Sequence, residues 1–80
     1  MVDVYEFVIT QLGKILSIIN CTLDTTLKEL DVNSYIFIKL VVEIEIKYNI
    51  EFDDDFLDYT KFITVRDVCQ YAETQINKSK

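Results

Sequence analysis

The chain has 80 residues, half of them apolar and 12% aromatic, which is too apolar for a disordered segment and enough for one small core. Residues 1–80 are therefore expected to form a single domain. A net charge of −6, from 14 acidic and 8 basic residues, argues against nucleic acid or an anionic membrane as partner and favours proteins with basic patches.

The first predicted helix covers residues 2–20. Tyr5, Val8, Ile9, Leu12, Ile15, Leu16 and Ile19 recur at the spacing of one helical face, and Asp3 suits the positive end of its dipole. Residues 21–33 read as a long loop in which Thr22, Asp24, Thr25 and Thr26 form turns. Leu23, Leu27, Leu30 and Val32 are expected to pin it to the core. Thr26 and Glu29 occupy capping-box positions for a single helical turn.

A second helix is predicted over 34–48, with Asn33 as its N-cap. Tyr35, Ile38, Val41, Val42 and Tyr48, completed by Leu40 or Ile44, read as its inward face. Ile36, Phe37, Lys39, Glu43, Glu45, Ile46 and Lys47 then point outward. Residues 50–63 hold a predicted short helix over 54–61, capped by Asp53-Asp54-Asp55, with Phe52, Phe56, Leu57 and Phe62 turned to the core. The last helix starts at Thr64, where Thr64 and Asp67 resemble a capping box. Its buried stripe is Val65, Val68, Cys69, Ala72 and Ile76, and residues 77–80 read as a frayed tail. The expected fold is all-α: a small four-helix bundle of three longer helices and one short one, with a long first loop. The absence of proline and the single glycine, Gly13, argue against an all-β alternative.

Conventional catalytic arrangements are missing. There is no histidine for a triad or a general base, and no glycine-rich phosphate loop. Cys21 and Cys69 form no CxxC pair, so no metal site is expected; whether a disulfide joins them is left open. The acidic N-terminus lacks the basic region of a secretion signal, and no apolar run is long enough to span a membrane, so a cytoplasmic protein with reduced thiols is the default reading.

Leu30-Asp31-Val32-Asn33-Ser34-Tyr35, followed by Tyr48-Asn49-Ile50 and by Thr64-Val65-Arg66-Asp67-Val68, resembles the acyl carrier protein family. The family's motif reads Leu-Gly-x-Asp-Ser-Leu, its second helix ends in Phe-x-Ile, and its last helix opens Thr-Val-x-Asp-Leu. Asp31 departs from the motif glycine and Asn33 from its aspartate. The resemblance implies the acyl-carrier fold, no catalytic residues, and a 4'-phosphopantetheine arm from coenzyme A attached at Ser34 as a phosphoprotein linkage. Implied partners are a phosphopantetheinyl transferase, an acyl- or aminoacyl-loading enzyme, and downstream condensing or transferring enzymes, with the carrier a monomer. Asn33, Tyr35, Ile36, Phe37, Lys39, Val42 and Ile46 are the candidate partner surface. Their mixed charge and apolar character fit an aminoacyl, peptidyl or secondary-metabolite carrier better than a fatty-acid carrier with its acidic second helix. A fatty-acid carrier and an unmodified helical adaptor docking through the same helix are the alternatives. A small enzyme is disfavoured, because few suitable polar groups could converge on a site.

Overall fold

The computed structural model describes residues 4–17 and 21–78. Among these the chain forms three α-helices, α1 (Val4–Leu16), α2 (Ser34–Tyr48) and α3 (Val65–Lys78), and two 3₁₀ turns, Asp54–Phe56 and Tyr59–Lys61. No strand is present among the described residues, and one isolated antiparallel bridge joins Thr26 to Thr64. The architecture is thus all-α, but the expected fourth helix over 54–61 is not continuous. Leu57 and Asp58 interrupt it, and Asp58 caps the second turn by accepting the Thr60 N–H at 2.9 Å and the Thr60 hydroxyl at 2.7 Å. Asp53 stands at the start of the first turn and makes no side-chain cap bond, contrary to expectation.

Helix α1 follows its heptad-like spacing, burying Val4, Val8 and Leu12. It ends earlier than predicted, at Leu16, and Ser17 takes the left-handed conformation with φ 57°. The expected positions Asp3 and Ile19 lie outside the described residues. Helix α1 packs against both α2 and α3.

An aromatic cluster fills the space between α2, the segment that follows it, and α3. Phe37 of α2 lies 5.6 Å from Phe62, and Phe62 lies 5.9 Å from Tyr71 of α3. Phe56 stacks on Tyr71 at 4.4 Å, and Phe52 meets the same ring edge-on at 4.9 Å. Deleting a ring such as Phe37 is expected to cost ~3–5 kcal/mol, a large part of the ~5–15 kcal/mol that holds a domain folded. Leu57, predicted to turn inward, is exposed. Val65, Val68, Cys69 and Ala72 of α3 are buried as expected, and the helix runs on through the predicted tail to Lys78.

The buried face of α2 differs from the predicted one. Phe37, Leu40, Val41 and Ile44 are buried, while Tyr35, Ile38 and Val42 are exposed. The predicted face was rotated about the helix, because nearly every position outside the four charged ones is apolar. Phe37, Leu40, Val41, Ile44 and Tyr48 in fact follow the i, i+3, i+4, i+7, i+11 series without a gap.

The long loop is held as a structured unit. Leu27 and Val32 are buried, and Leu23 and Leu30 pack against the core. Thr26 and Glu29 form a reciprocal capping box, the Thr26 N–H donating to Glu29 Oε1 and the Glu29 N–H to Thr26 Oγ1, both at 3.0 Å. The turn closes with Val32 N–H on Leu27 O and Asp31 N–H on Lys28 O, both at 3.1 Å, as in a Schellman motif. Three more backbone bonds tie the loop to the start of α3: Leu27 N–H to Ile63 O, Val65 N–H to Thr25 O, and Arg66 N–H to Leu23 O. An exposed Arg66–Asp24 ion pair at 3.0 Å accompanies them. Cys21 is half-buried and Cys69 buried, with no disulfide joining them. Burial pushes the Cys21 thiol above its ordinary pKa of 9.0.

Candidate functional site

Ser34 is the first residue of α2 and is exposed. The loop delivers it there in two steps. The Asp31 backbone, with φ 56°, reverses the chain after the capped turn, and Asn33 then runs extended, φ −114° and ψ −179°, into the helix. Asn33 Oδ1 accepts the Ile36 N–H at 2.9 Å, and Asn33 O accepts the Phe37 N–H at 2.9 Å. The cap satisfies the third turn position, while Ser34 and Tyr35 occupy the two positions whose N–H groups have no carbonyl within a helix to bond. No acidic residue stands in the first turn of α2.

A groove of ≈ 600 Å³ opens beside this junction. Buried Leu27, Val32 and Phe62 contribute apolar surface to it, with Thr26, Lys28, Asn33 and Thr60 among its other walls. Along α2 itself runs an exposed apolar stripe. Tyr35 and Ile46 are 72% and 74% exposed, and Ile38 and Val42 lie between them at 38% and 42%. The Lys39 ammonium sits 5.9 Å over the Tyr35 ring.

Of the residues singled out from the sequence, Asn33, Tyr35, Lys39, Val42 and Ile46 are exposed on one end and one side of α2, and Ile36 is half-buried. Phe37 is not on this surface. It is 1% exposed and belongs to the aromatic cluster, so its predicted outward placement is corrected. Ile38, expected in the core, instead completes the stripe. Its position between Tyr35 and Val42 at helical spacing was the available signal.

The other landmarks take the expected form. Asn49 ends α2 in the left-handed conformation, φ 55°, with its N–H on Glu45 O, and Ile50 is buried just beyond it. At the start of α3 the Asp67 N–H donates to Thr64 Oγ1 and the Thr64 N–H to Asp67 Oδ2, both at 3.2 Å. Asp67 Oδ2 also accepts the Ile63 N–H at 3.0 Å.

The profile of a family described as "Phosphopantetheine attachment site" matches residues 4–72. An acyl carrier protein of Exiguobacterium sibiricum is 40% identical over 77 residues, covering 95% of this chain and 92% of the relative. The chain belongs to the acyl carrier protein family. No solved structure matches it. Membership makes it a carrier domain of the kind that takes covalent 4'-phosphopantetheine. The α2 junction fits that group: an exposed hydroxyl lies at a helix N-terminus, where outward N–H groups and the dipole favour a phosphodiester and no first-turn carboxylate opposes it. Among the described residues no helix is long and apolar enough to cross a membrane.

Proposed function

We propose that Ser34 is the attachment point of the arm and that residues 1–80 act as a single cytoplasmic carrier domain. The observation that carries this reading is the exposed Ser34 hydroxyl at the first position of α2, behind an intact Asn33 cap. A phosphopantetheinyl transferase would bring coenzyme A to this hydroxyl. Ser34 Oγ then bonds to the pantetheine-side phosphorus, displaces adenosine 3',5'-bisphosphate, and gives up its proton to the transferase. When bound, the arm supplies a terminal thiol that holds an acyl group as a thioester. The protein's own part is to fix the root of the tether, to display it to water, and to raise the effective concentration of cargo at whichever enzyme α2 docks against.

The docking surface in this reading is Asn33, Tyr35, Ile36, Lys39, Val42 and Ile46, with Ile38 added. An exposed apolar stripe flanked by Lys39, Glu43 and Lys47 is complementary to an apolar partner surface more than to a basic one. That supports an aminoacyl, peptidyl or secondary-metabolite cargo, handed on by loading and condensing or transferring enzymes to a monomeric carrier. A fatty acyl cargo is the second reading, favoured by the naming of the 40% identical relative as an acyl carrier protein.

Incubation with coenzyme A and a broad-specificity phosphopantetheinyl transferase is expected to add one arm by intact mass, and Ser34→Ala to abolish the addition. An arm found at another residue, or none with several transferases, would overturn the assignment. Intact mass of the protein from its native source then separates the two cargo readings.

A further inference from the structure

The negative charge of the chain is not spread evenly. Glu51, Asp53, Asp54, Asp55 and Asp58 fall in one short segment that holds no cation, and all of them are exposed. The first turn of α2, at the other end of the helix, has no acidic residue. From Ser34 to Ile46 the helix rises about 18 Å, more than twice the screening length of about 8 Å at physiological salt. The acidic segment therefore acts on what lies close to it and hardly on the serine.

A depression of ≈ 600 Å³ opens at this acidic end, between the last turns of α2 and the first 3₁₀ turn. Buried Ile50 and Phe52 form its floor, and exposed Ile46 and Leu57 stand beside them. Glu51 and Asp54 line it as well. The wall is braced where the Phe52 N–H donates to Glu45 Oε2 at 2.9 Å. Lys47, next to Ile46, does not neutralise these carboxylates, since its ammonium lies 5.9 Å over the Phe7 ring of α1. Exposed aliphatic side chains ringed by charge of one sign suit a partner that is apolar at its centre and basic around it.

We infer that this depression docks a basic amphipathic helix of a partner protein, its apolar face seated on Ile46 and Leu57 and its Lys or Arg side chains against Glu51 and Asp54. A helix arrives with its backbone bonds already made. An extended segment needs a sheet edge to pair with, and no strand is present among the described residues. A helix seated there leaves Ser34 and the first half of α2 uncovered. The role this gives the site rests on Ser34 being the attachment point: one protein holds the carrier by its acidic end while a second enzyme works at the root of the arm. Such holding raises the effective concentration of the arm for enzymes fixed to the same partner.

The test uses the full chain and a synthetic peptide of Leu and Lys, about four helical turns long, with its leucines on one helical face. A peptide of the same composition with alternating leucines, and a Leu and Glu peptide with the helical pattern, serve as comparisons. Amide NMR shifts on titration with the first peptide are expected to concentrate at Ile46, Glu51, Asp54 and Leu57, with weaker binding of the alternating peptide and none of the acidic one. Leu57→Ser and Ile46→Ser each change an exposed side chain and keep the net charge, and each is expected to weaken binding about tenfold. Asp54→Lys should weaken it and reduce its dependence on salt. Shifts spread over Glu29, Glu43 and Glu73 as well, with affinity unchanged in both serine variants, would reveal charge attraction alone and overturn the site. Phosphopantetheine transfer to Ser34 is expected to proceed at an unchanged rate with the peptide bound. Transfer blocked by the peptide in the wild type but not in Leu57→Ser would overturn simultaneous docking. Failure of transfer in the absence of peptide would overturn the attachment point and leave the docking result standing.

Discussion

The side-chain oxygen of Asn33 accepts the backbone N–H of Ile36 at 2.9 Å, and this bond fixes where α2 begins and hence where the Ser34 hydroxyl stands. The family's aspartate is replaced by an amide at this position, and the geometry shows the capping role retained without its charge.

Asn33→Ala removes the cap and is expected to cost ~1 kcal/mol, which in a domain of this size lowers Tm by roughly 4–8 °C. Asn33→Asp keeps the bond and places a negative charge near the positive end of the helix dipole, so its stability should equal or slightly exceed that of the wild type. Calorimetry on the two variants checks the order. Because the aspartate variant alters charge beside Ser34 but not the fold, its rate of phosphopantetheine transfer should change independently of Tm.

Asp31 holds φ 56°, a left-handed conformation in which a side chain is crowded against the backbone. It closes the capped turn at the position where a Schellman motif ordinarily has glycine. Asp31→Gly is therefore expected to stabilise the protein by less than ~1 kcal/mol, the relief being partly offset by glycine's greater freedom when unfolded. Asp31→Val, β-branched and poorly tolerated there, should destabilise it by ~1–2 kcal/mol. Denaturant midpoints in the order Gly, Asp, Val would confirm the reading, and any other order would contradict it.

Two exposed turns should respond to acid. The Thr26 backbone N–H, and then its hydroxyl, hold the Glu29 carboxylate below its ordinary pKa of 4.5. The Thr60 hydroxyl, followed by its backbone N–H, does the same for Asp58 relative to 3.8. Each group binds fewer protons folded than unfolded, so its contribution is complete above the ordinary value and is lost as pH falls through the lower folded value. Amide resonances of Thr26, Glu29 and Thr60 should stay constant down to about pH 5 and move below about pH 4. Both carboxylates are fully exposed, so global unfolding is not expected to follow from their protonation alone.

Most of the frame around Ser34 was legible because it is local. The caps at Thr26–Glu29, Asn33 and Thr64–Asp67 follow from short-range side-chain chemistry, and each forms as the sequence indicates. The face of α2 was not legible from charge alone. Val42-Glu43-Ile44-Glu45-Ile46 alternates with a period of two, which masks the helical period, and what lies opposite decides between two apolar sides. Phe37 lies on the one helical series that is buried, and Phe62 meets it there across 25 positions, a distant contact that selects this face over the other apolar one. The division of residues 54–61 into two turns has a local origin instead, with Asp58 restarting the chain through its own bonds to Thr60.

The Thr26–Thr64 bridge has a mechanical meaning for the start of α2. Three main-chain bonds stitch the preceding loop to the root of α3, so the stretch that leads into Ser34 is braced from a second helix. On the proposed attachment at Ser34, a braced root would leave the swing to the arm, and the stations it serves would lie within one arm's length of α2's first residue.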